Sequence, residues 1–321
     1  VRTDLTLEGI GGPGLAAQGL DSLYPMERLS VMGLVEPLQR LPELLRLRAR
    51  LRGHFLRRPP DVFLGVDSPD FNLPLARSLR RRGIQCAQLV SPTVWAWRPG
   101  RVRGIGQSVD EVYCLFPFEP EIYRARHITA HFVGHPLADD LAPVVDTAGL
   151  REALGLPRAG KILALLPGSR EAEVSALAGV FFATAKRLCA EGKVAGLVLP
   201  VANAACRRAL EPWLQANRGL PLTLIDGNGC DAISASDAVL TASGTAALEA
   251  ALLRRPMVVA YRTGRLSWAV LSRLVRTPHI ALPNILARQR LVPELLQHEV
   301  TPHKLYQALL PALRGGSEMD A

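Results

Sequence analysis

The sequence predicts an α/β protein made of two Rossmann-like domains, each a doubly wound parallel sheet, with a ligand cleft between them. Three observations predict this fold. Apolar strand patterns alternate with helical patterns through both halves of the chain. Two strands end in glycine-containing loops that lead directly into helices, at positions 167–170 and 243–245. The chain has 321 residues and is 48% hydrophobic, which is enough for two apolar cores.

The first predicted domain covers residues 1–140. Its candidate strands are 5–10, 62–66, 85–90, 111–115 and 130–133, with helical patterns between them, among them 73–82. Gly134-His135-Pro136 interrupts the alternation, and we expect the linker within 143–147.

The second predicted domain covers residues 141–321. It begins with a helix near 150–154, and a longer helix follows over 171–191. Its candidate strands are 162–166, 194–200, 222–225, 238–240 and 257–261. Because ligands bind at the carboxyl ends of parallel strands, the loops that follow these strands are the candidate sites.

The first half carries a basic surface. The chain has 38 Lys and Arg against 29 Asp and Glu, and the segment 71–109 contains seven Arg and no acidic residue. Aromatic residues make up only 5% of the chain, so we expect no nucleic-acid partner. Between 29 and 51, apolar residues recur at helical spacing among arginines, and Pro37 and Pro42 are expected to break the helix. This pattern predicts contact with an anionic bilayer or acyl chain, or else an ordinary helix packed on the sheet.

Cysteine spacing and hydropathy exclude several classes of protein. The five cysteines contain no C-x-x-C pair and no metal-ligand spacing, so we expect neither a disulfide framework nor a metal site. No apolar run reaches the length of a membrane span, and the sequence begins without the layout of a signal peptide. We therefore expect a cytoplasmic protein.

Two strand–loop–helix junctions in the second half predict an anion site. Ser243-Gly244-Thr245 places backbone N–H groups and hydroxyls at the start of a helix, and Glu249 follows one turn later, where a carboxylate can hold sugar hydroxyls. Pro167-Gly168-Ser169-Arg170 adds a sharp turn and a guanidinium that pairs well with a diphosphate. The alternatives are a simple helix cap and a Pro-Gly turn with a solvated arginine.

The first half has polar residues of its own at strand ends. Asp67 and Asp70 follow the apolar strand 62–66, and either carboxylate could act as a general base in the cleft. The alternative is that Asp67 forms a turn while Asp70 or Asn72 caps the next helix. Two tryptophans and an arginine, Trp95, Trp97 and Arg98, follow the next strand and line an acceptor pocket or cover the sheet edge.

Seven motifs, in order along nearly the whole chain, closely resemble those of the lipid-A-disaccharide synthase family. They are LSVMGLVE (29–36), DVFLGVDSPDFN (61–72), VSPTVWAWR (90–98), FVGHP (132–136), LLPGSR (165–170), ASGTAALE (242–249) and LPNILA (282–287).

The resemblance implies a GT-B glycosyltransferase that inverts configuration and needs no metal or other cofactor. It would join UDP-2,3-diacylglucosamine to 2,3-diacylglucosamine 1-phosphate, on the inner face of the inner membrane, and homodimer formation stays open. Asp67 becomes the base on the acceptor hydroxyl, and Arg170 stabilises the departing UDP. The implied UDP site comprises Gly168, Ser169, Arg170, Asn203, Ser243, Gly244, Thr245, Glu249 and Asn284. The implied acceptor and lipid site comprises Met32, Asp70, Asn72, Trp95, Trp97 and Arg98.

The sequence departs from the family at three places. Family members begin with a further strand and a Gly-Glu-x-Ser-Gly-Asp loop, so we expect the N-terminal sheet here to lack its first strand. The sequence stops after Leu313, where the family has more helix, and it reads Ala287-Arg288-Gln289-Arg290 in place of Ala-Gly-Arg. Two further hypotheses follow: a UDP-sugar epimerase or hydrolase of the same fold, and an inactive lipid-binding fragment.

Overall fold

The computed structural model of the chain describes residues 5–26, 36–96, 99–141, 146–264, 268–269, 273 and 277–314, without the side chains of 36–39. The chain divides into two compact units, Val1–Gly134 and His135–Ala321. Each unit contains a parallel sheet whose strands alternate with helices along the chain. The predicted fold class, α/β with two Rossmann-like domains, is therefore confirmed.

The first unit contains a four-stranded sheet and a separate pair of short strands. Its elements are β1 (Glu8–Gly9), α1 (Pro13–Ala16), β2 (Asp21–Ser22), α2 (Glu36–Arg57), β3 (Val62–Val66), α3 (Pro69–Arg80), β4 (Gln85–Leu89), α4 (Arg101–Gly106), β5 (Glu111–Cys114), α5 (Glu119–Arg124) and β6 (Thr129–Phe132). β1 pairs with β2, and the sheet order is β3-β4-β5-β6, with every pairing parallel. The predicted strand 5–10 is reduced to the two residues of β1.

α2 corrects the prediction that Pro42 breaks the helix of the basic segment. Pro37 is the second residue of the helix, where no intrahelical N–H bond is lost, and α2 continues through Pro42 to Arg57. Leu47, Leu51 and Phe55, spaced four residues apart, are buried, so this stripe is part of the packed interior. Exposed arginines and the half-exposed Leu41 and Leu45 occupy other positions of α2.

β3 forms one edge of the four-stranded sheet and pairs only with β4 among the described residues. Its alternate residues Val62, Leu64 and Val66 are 53, 49 and 48% exposed. The buried cluster of the unit includes Cys86, Val112 and other residues from β4 to β6 together with α2 and α3 residues. One row of apolar side chains on β3 is therefore left in contact with solvent.

The second unit is a six-stranded doubly wound domain. Its elements are α6 (Pro136–Asp140), α7 (Thr147–Ala153), β7 (Ile162–Leu166), α8 (Glu171–Ala190), β8 (Gly196–Val201), α9 (Ala204–Ala216), β9 (Leu222–Asp226), α10 (Gly229–Ala235), β10 (Ala238–Ala242), α11 (Thr245–Leu252), β11 (Met257–Tyr261), α12 (Leu282–Ala287), β12 (Glu294–Leu296), a 3₁₀ turn (Gln297–Glu299) and α13 (Pro302–Arg314). The sheet order is β12-β11-β10-β7-β8-β9, all parallel. The first strand of the unit, β7, therefore lies beside the fourth, β10.

The sheet of the second unit is covered on both faces. Every residue of β7 and of β10 is buried, and alternate β7 residues belong to two separate apolar clusters. Leu163 and Leu165 pack with α8, α9 and α13, whereas Ile162, Ala164 and Leu166 pack with residues of α10 and α11. This two-sided burial explains why these strands are continuous apolar runs in the sequence.

Candidate functional site

The loops after β7 and β10 meet at the switch point of the second sheet, where ligands bind in doubly wound folds. A cavity of ≈ 410 Å³ opens there. It is lined by Leu166, Gly168, Ser169, Arg170, Glu173, Pro200, Ala202, Gly227, Asn228, Gly229, Thr241, Ala242, Ser243, Gly244, Thr245, Ala246 and Glu249. Of the nine residues predicted for UDP, seven line this cavity.

The loop after β7 is held in shape by glycine and by two side chains. Gly168 has φ +132°, and a Cβ on it would meet the Cβ of Glu173 at 2.5 Å, so no other residue fits there without strain. The Ser169 N–H donates to Glu173 Oε2 at 3.2 Å, and Arg170 Nη1 donates to Oε1 at 2.8 Å. Asn203 lies outside the cavity lining, but its Nδ2 donates to the Ser169 carbonyl at 3.1 Å.

The loop after β10 turns at Gly244, whose φ of +154° favours glycine. The helix α11 begins at the next residue, Thr245, and no side chain caps its N-terminus. Ser243 Oγ donates to the Ile280 carbonyl at 3.3 Å. The uncapped N–H groups at the start of α11 therefore suit an anion.

Glu249 lies at the edge of the cavity beside α10. Its Oε2 would be 3.7 Å from a Cβ placed on Gly229. Burial, and then the charge and hydrogen bonding of Glu249, raise the pKa of the nearby Cys230 thiol to about 11, so this thiol stays protonated at neutral pH. The Glu249 carboxylate retains acceptor capacity for hydroxyl groups.

Among the contributors to the cavity that were not predicted are the loop after β9 and Glu173. The loop Gly227-Asn228-Gly229 follows β9, with Asn228 at φ +42° accepting from the Asp231 N–H as the cap of α10. Its Gly-Asn-Gly sequence directly after the apolar strand 222–225 was the available signal. Glu173 was not predicted because the local sequence does not distinguish a glutamate exposed on a helix from one whose side chain bonds the preceding loop.

Asn284 lies outside the cavity lining and is fully buried in α12. Its Oδ1 accepts from the Leu291 and Val292 N–H groups at 2.7 and 2.9 Å, and its Nδ2 donates to the Val292 carbonyl at 2.9 Å and to Glu294. All of its hydrogen bonds therefore hold the segment that leads into β12.

In the first unit, Asp67 follows β3 in an uncommon backbone conformation. Asp67 and Ser68 have φ of +47° and +39°. The Asp67 carbonyl accepts from Asn72 Nδ2 at 2.8 Å and from the buried Gln88 Nε2 at 3.0 Å, which holds the turn in place. Asn72 therefore shapes this turn. The exposed Asp67 carboxylate has no hydrogen bond or ion pair with the part of the chain that the structure describes.

Asp70 differs from Asp67 in having a partner. It lies within the first turn of α3, and Arg101 Nη2 donates to its Oδ1 at 2.6 Å. The position before α3 is taken by Ser68, without a side-chain cap, so the interpretation of Asp70 or Asn72 as the helix cap is wrong. Of the two carboxylates, only that of Asp67 is uncommitted within the described chain.

Trp95 follows β4 and is fixed by a buried carboxylate. Its Nε1 donates to Glu119 Oε1 at 3.1 Å, and the Phe116 N–H donates to Glu119 Oε2 at 3.0 Å. Burial raises the pKa of Glu119, although these donors favour its charged form. Three other residues predicted for the acceptor site lie outside the described residues: Met32, Trp97 and Arg98.

A second cavity, of ≈ 450 Å³, lies along α2 in the first unit. It is lined by Leu23, Tyr24, Ala49, Arg50, Gly53, His54 and Arg57. His54 Nε2 lies 2.8 Å from Glu8 Oε1, whereas the guanidinium groups of Arg50 and Arg57 have no ion pair within the described residues. No helix in the described ranges combines the length and apolarity needed to cross a membrane.

Comparison with known proteins identifies the family. The profile described as lipid-A-disaccharide synthetase matches residues 2–320. The chain is 50% identical over 315 residues to the lipid-A-disaccharide synthase of Pseudomonas aeruginosa LESB58, covering 98% of this chain and 83% of that protein. It is 46% identical over 320 residues to that of Methylobacillus flagellatus, covering 99% and 85%.

Among solved structures, the chain is similar to UDP-GlcNAc 2-epimerase of Methanocaldococcus jannaschii, with a TM-score of 0.59 at 12% identity over 94% of this chain and 80% of that one. This likeness concerns the fold. The sequence matches extend over almost the whole chain at about 50% identity. The chain therefore belongs to the lipid-A-disaccharide synthase family, the glycosyltransferases of lipid A biosynthesis.

Proposed function

We propose that the protein joins UDP-2,3-diacylglucosamine to 2,3-diacylglucosamine 1-phosphate, giving the β-1,6-linked disaccharide 1-phosphate and UDP with inversion at the anomeric carbon. The observation that supports binding of the UDP-sugar donor is the cavity at the switch point of the second sheet. Arg170, two glycine turns and the N-terminus of α11 come together there. Such a site suits a nucleoside diphosphate.

In the proposed donor complex, the loops at 168–170 and 243–245 hold the diphosphate and Glu249 holds the ribose hydroxyls. Asn203 keeps the first loop in place through Ser169, and Asn284 supports the second unit from the interior. As the bond from the anomeric carbon to the diphosphate breaks, negative charge grows on the leaving oxygen. Arg170 stabilises that charge without a metal ion.

Asp67 is the proposed general base. It takes the proton of the acceptor 6-hydroxyl while that oxygen forms its bond to the anomeric carbon. Its carboxylate is exposed and has no partner among the described residues, which supports this role. Asp70, in contrast, already accepts a hydrogen bond from Arg101, so its carboxylate has a partner in place of an acceptor hydroxyl. We propose that Asn72 and Trp95 help to shape the acceptor side, together with Met32, Trp97 and Arg98.

The acceptor and donor both carry acyl chains, so we propose that the enzyme works at the surface of an anionic membrane leaflet. The exposed arginines of α2 and the half-exposed Leu41 and Leu45 support this proposal, because interfacial helices combine basic and apolar residues. The buried stripe at Leu47, Leu51 and Phe55 holds α2 on the unit, and the exposed positions of α2 would make that contact.

The decisive experiment compares Asp67→Asn with Asp70→Asn, incubating each with both diacylated sugars and measuring the disaccharide by mass spectrometry. We expect Asp67→Asn to lower kcat by at least about 100-fold, the usual contribution of a general base, and Asp70→Asn by less than tenfold. UDP affinity, measured by calorimetry, should be unchanged in both. Near-normal turnover by Asp67→Asn would exclude the proposed base, and UDP release from the donor alone would point to a hydrolase.

A further inference from the structure

The loop after β7, residues 167–170, is bonded by a carboxylate of the same chain. Glu173, in the first turn of α8, accepts from the Ser169 N–H at 3.2 Å and from Arg170 Nη1 at 2.8 Å. Its oxygens bridge two neighbouring donors in the way that two oxygens of a phosphate group would. Glu173 also lines the cavity in which we propose the diphosphate binds.

A diphosphate and Glu173 compete for the same groups. A backbone N–H has one proton, so the Ser169 N–H cannot donate a full hydrogen bond to Glu173 and to a phosphate oxygen at the same time. A second negative group placed beside the Glu173 carboxylate would also be repelled. Arg170 is free to change partners, because its side chain is 59% exposed, whereas that of Glu173 is 24% exposed.

We propose that Glu173 is a specificity-determining residue of the donor site: its carboxylate fills the diphosphate position until a nucleoside diphosphate displaces it. This proposal rests on the proposed function. On donor binding, Glu173 leaves the Ser169 N–H and Arg170 turns to the diphosphate. A single phosphate group offers too few contacts for this exchange, whereas a ligand held also through its nucleoside displaces the carboxylate. After turnover, return of Glu173 favours release of UDP.

The competing explanation is that Glu173 only stabilises the start of α8, because a carboxylate in the first turn of a helix interacts favourably with its dipole. The chain offers a matched control. Glu171 lies in the same first turn and is exposed, and it has no bond to the loop among the described contacts. Glu171→Gln removes the same charge from the same helix end but leaves the bridge between Ser169 and Arg170 intact.

The experiment measures UDP binding to the full chain by titration calorimetry for the unsubstituted protein, Glu173→Gln and Glu171→Gln. We expect Glu173→Gln to bind UDP about tenfold more tightly and Glu171→Gln to stay within twofold of the unsubstituted protein. Inorganic phosphate should displace UDP at lower concentration from Glu173→Gln than from either other form. Circular dichroism checks that α8 remains folded, and Glu173→Asp, which keeps the charge, should not show the tightening.

Unchanged or weaker UDP binding by a folded Glu173→Gln, with normal binding by the unsubstituted protein, would overturn this inference and leave the donor site in place. Equal tightening by Glu171→Gln would also overturn it, because the effect would then come from general charge removal. Absence of UDP binding in all three forms would overturn both the inference and the proposed donor site.

Discussion

At the scale of single residues, the end of β3 shows how tightly side chains hold an uncommon backbone. Positive φ at a non-glycine residue costs on the order of 1–3 kcal/mol, and Asp67 and Ser68 both have it. The amides of Asn72 and Gln88 offset this cost by bonding the Asp67 carbonyl. The turn thus holds the backbone of Asp67 in place while its exposed carboxylate has no bond to any described residue, which fits the role proposed for Asp67.

Glu119 gives a prediction about pH. Because burial raises its pKa above the ordinary value of 4.5, the folded protein binds more protons at this site than the unfolded chain as pH rises from about 4.5. The contribution of Glu119 to the free energy of unfolding therefore falls with rising pH through that window. Glu119→Gln keeps an acceptor for Trp95 but does not titrate, so its stability relative to the unsubstituted protein should improve as pH rises.

The measurement is urea unfolding of both proteins at pH 4.5, 5.5, 6.5 and 7.5. As a control, Glu121→Gln removes an exposed carboxylate from the same helix, α5, and should give a curve parallel to that of the unsubstituted protein. Parallel curves for Glu119→Gln as well would show that the buried carboxylate does not titrate differently in the two states.

At the scale of elements, strands buried on both faces were the most predictable part of the fold. β7 and β11 lie where the apolar runs predicted them, 162–166 and 257–261, because every position of such a strand faces a core or an adjoining layer. The two-residue β1 and β2 and the three-residue β12 are too short to produce a periodic signal, so neither their extent nor their pairing was predictable. The glycine turns after β7 and β10 led to seven of the residues that line the donor cavity, but the bond from Glu173 depends on tertiary geometry.

Asn284 tests whether α12 contributes to stability or to nucleotide binding. Asn284→Ala would leave the buried N–H group of Val292 and the partly buried N–H group of Leu291 without their acceptor, and an unsatisfied buried donor costs roughly 1–3 kcal/mol. We expect a loss of about 3 kcal/mol in the free energy of unfolding and UDP affinity within threefold of normal below the transition. Unchanged stability with lost UDP binding would instead assign Asn284 to the nucleotide.

α2 tests the proposed membrane contact. Replacing both Arg50 and Arg57 by Ala should weaken binding to vesicles of mixed neutral and anionic phospholipid on the order of 10- to 30-fold, at about 1 kcal/mol for each arginine. Vesicle flotation at two salt concentrations measures this, and the difference should shrink at high salt. Arg208→Ala, an exposed arginine of α9, is the control and should bind normally. If the double variant bound the vesicles as strongly as the unsubstituted protein, the proposed contact between α2 and the membrane would be wrong.

At the scale of the whole molecule, each unit has its own buried cluster, and the donor cavity lies entirely in the second unit. We therefore expect two transitions in calorimetry, of which UDP raises only one. At a concentration 100 times its Kd, UDP should stabilise the second unit by about 2.7 kcal/mol, which corresponds to roughly 5–10 °C for a domain of this size.

Arg170→Ala should abolish the shift caused by UDP and leave the other transition in place. A single transition that moves with UDP would show that the two units unfold together. A shift of both transitions would mean that nucleotide binding involves the first unit as well.

The apolar row on β3 has a practical consequence for preparing the protein. Val62, Leu64 and Val66 are half-exposed, and the outer edge of β3 has no partner among the described residues, so this edge is a template on which a second copy can add a strand. Ammonium sulfate strengthens apolar association, so concentrated stocks in that precipitant should turn cloudy sooner than stocks in mild detergent. Leu64→Lys should keep such stocks clear and extend their storage life.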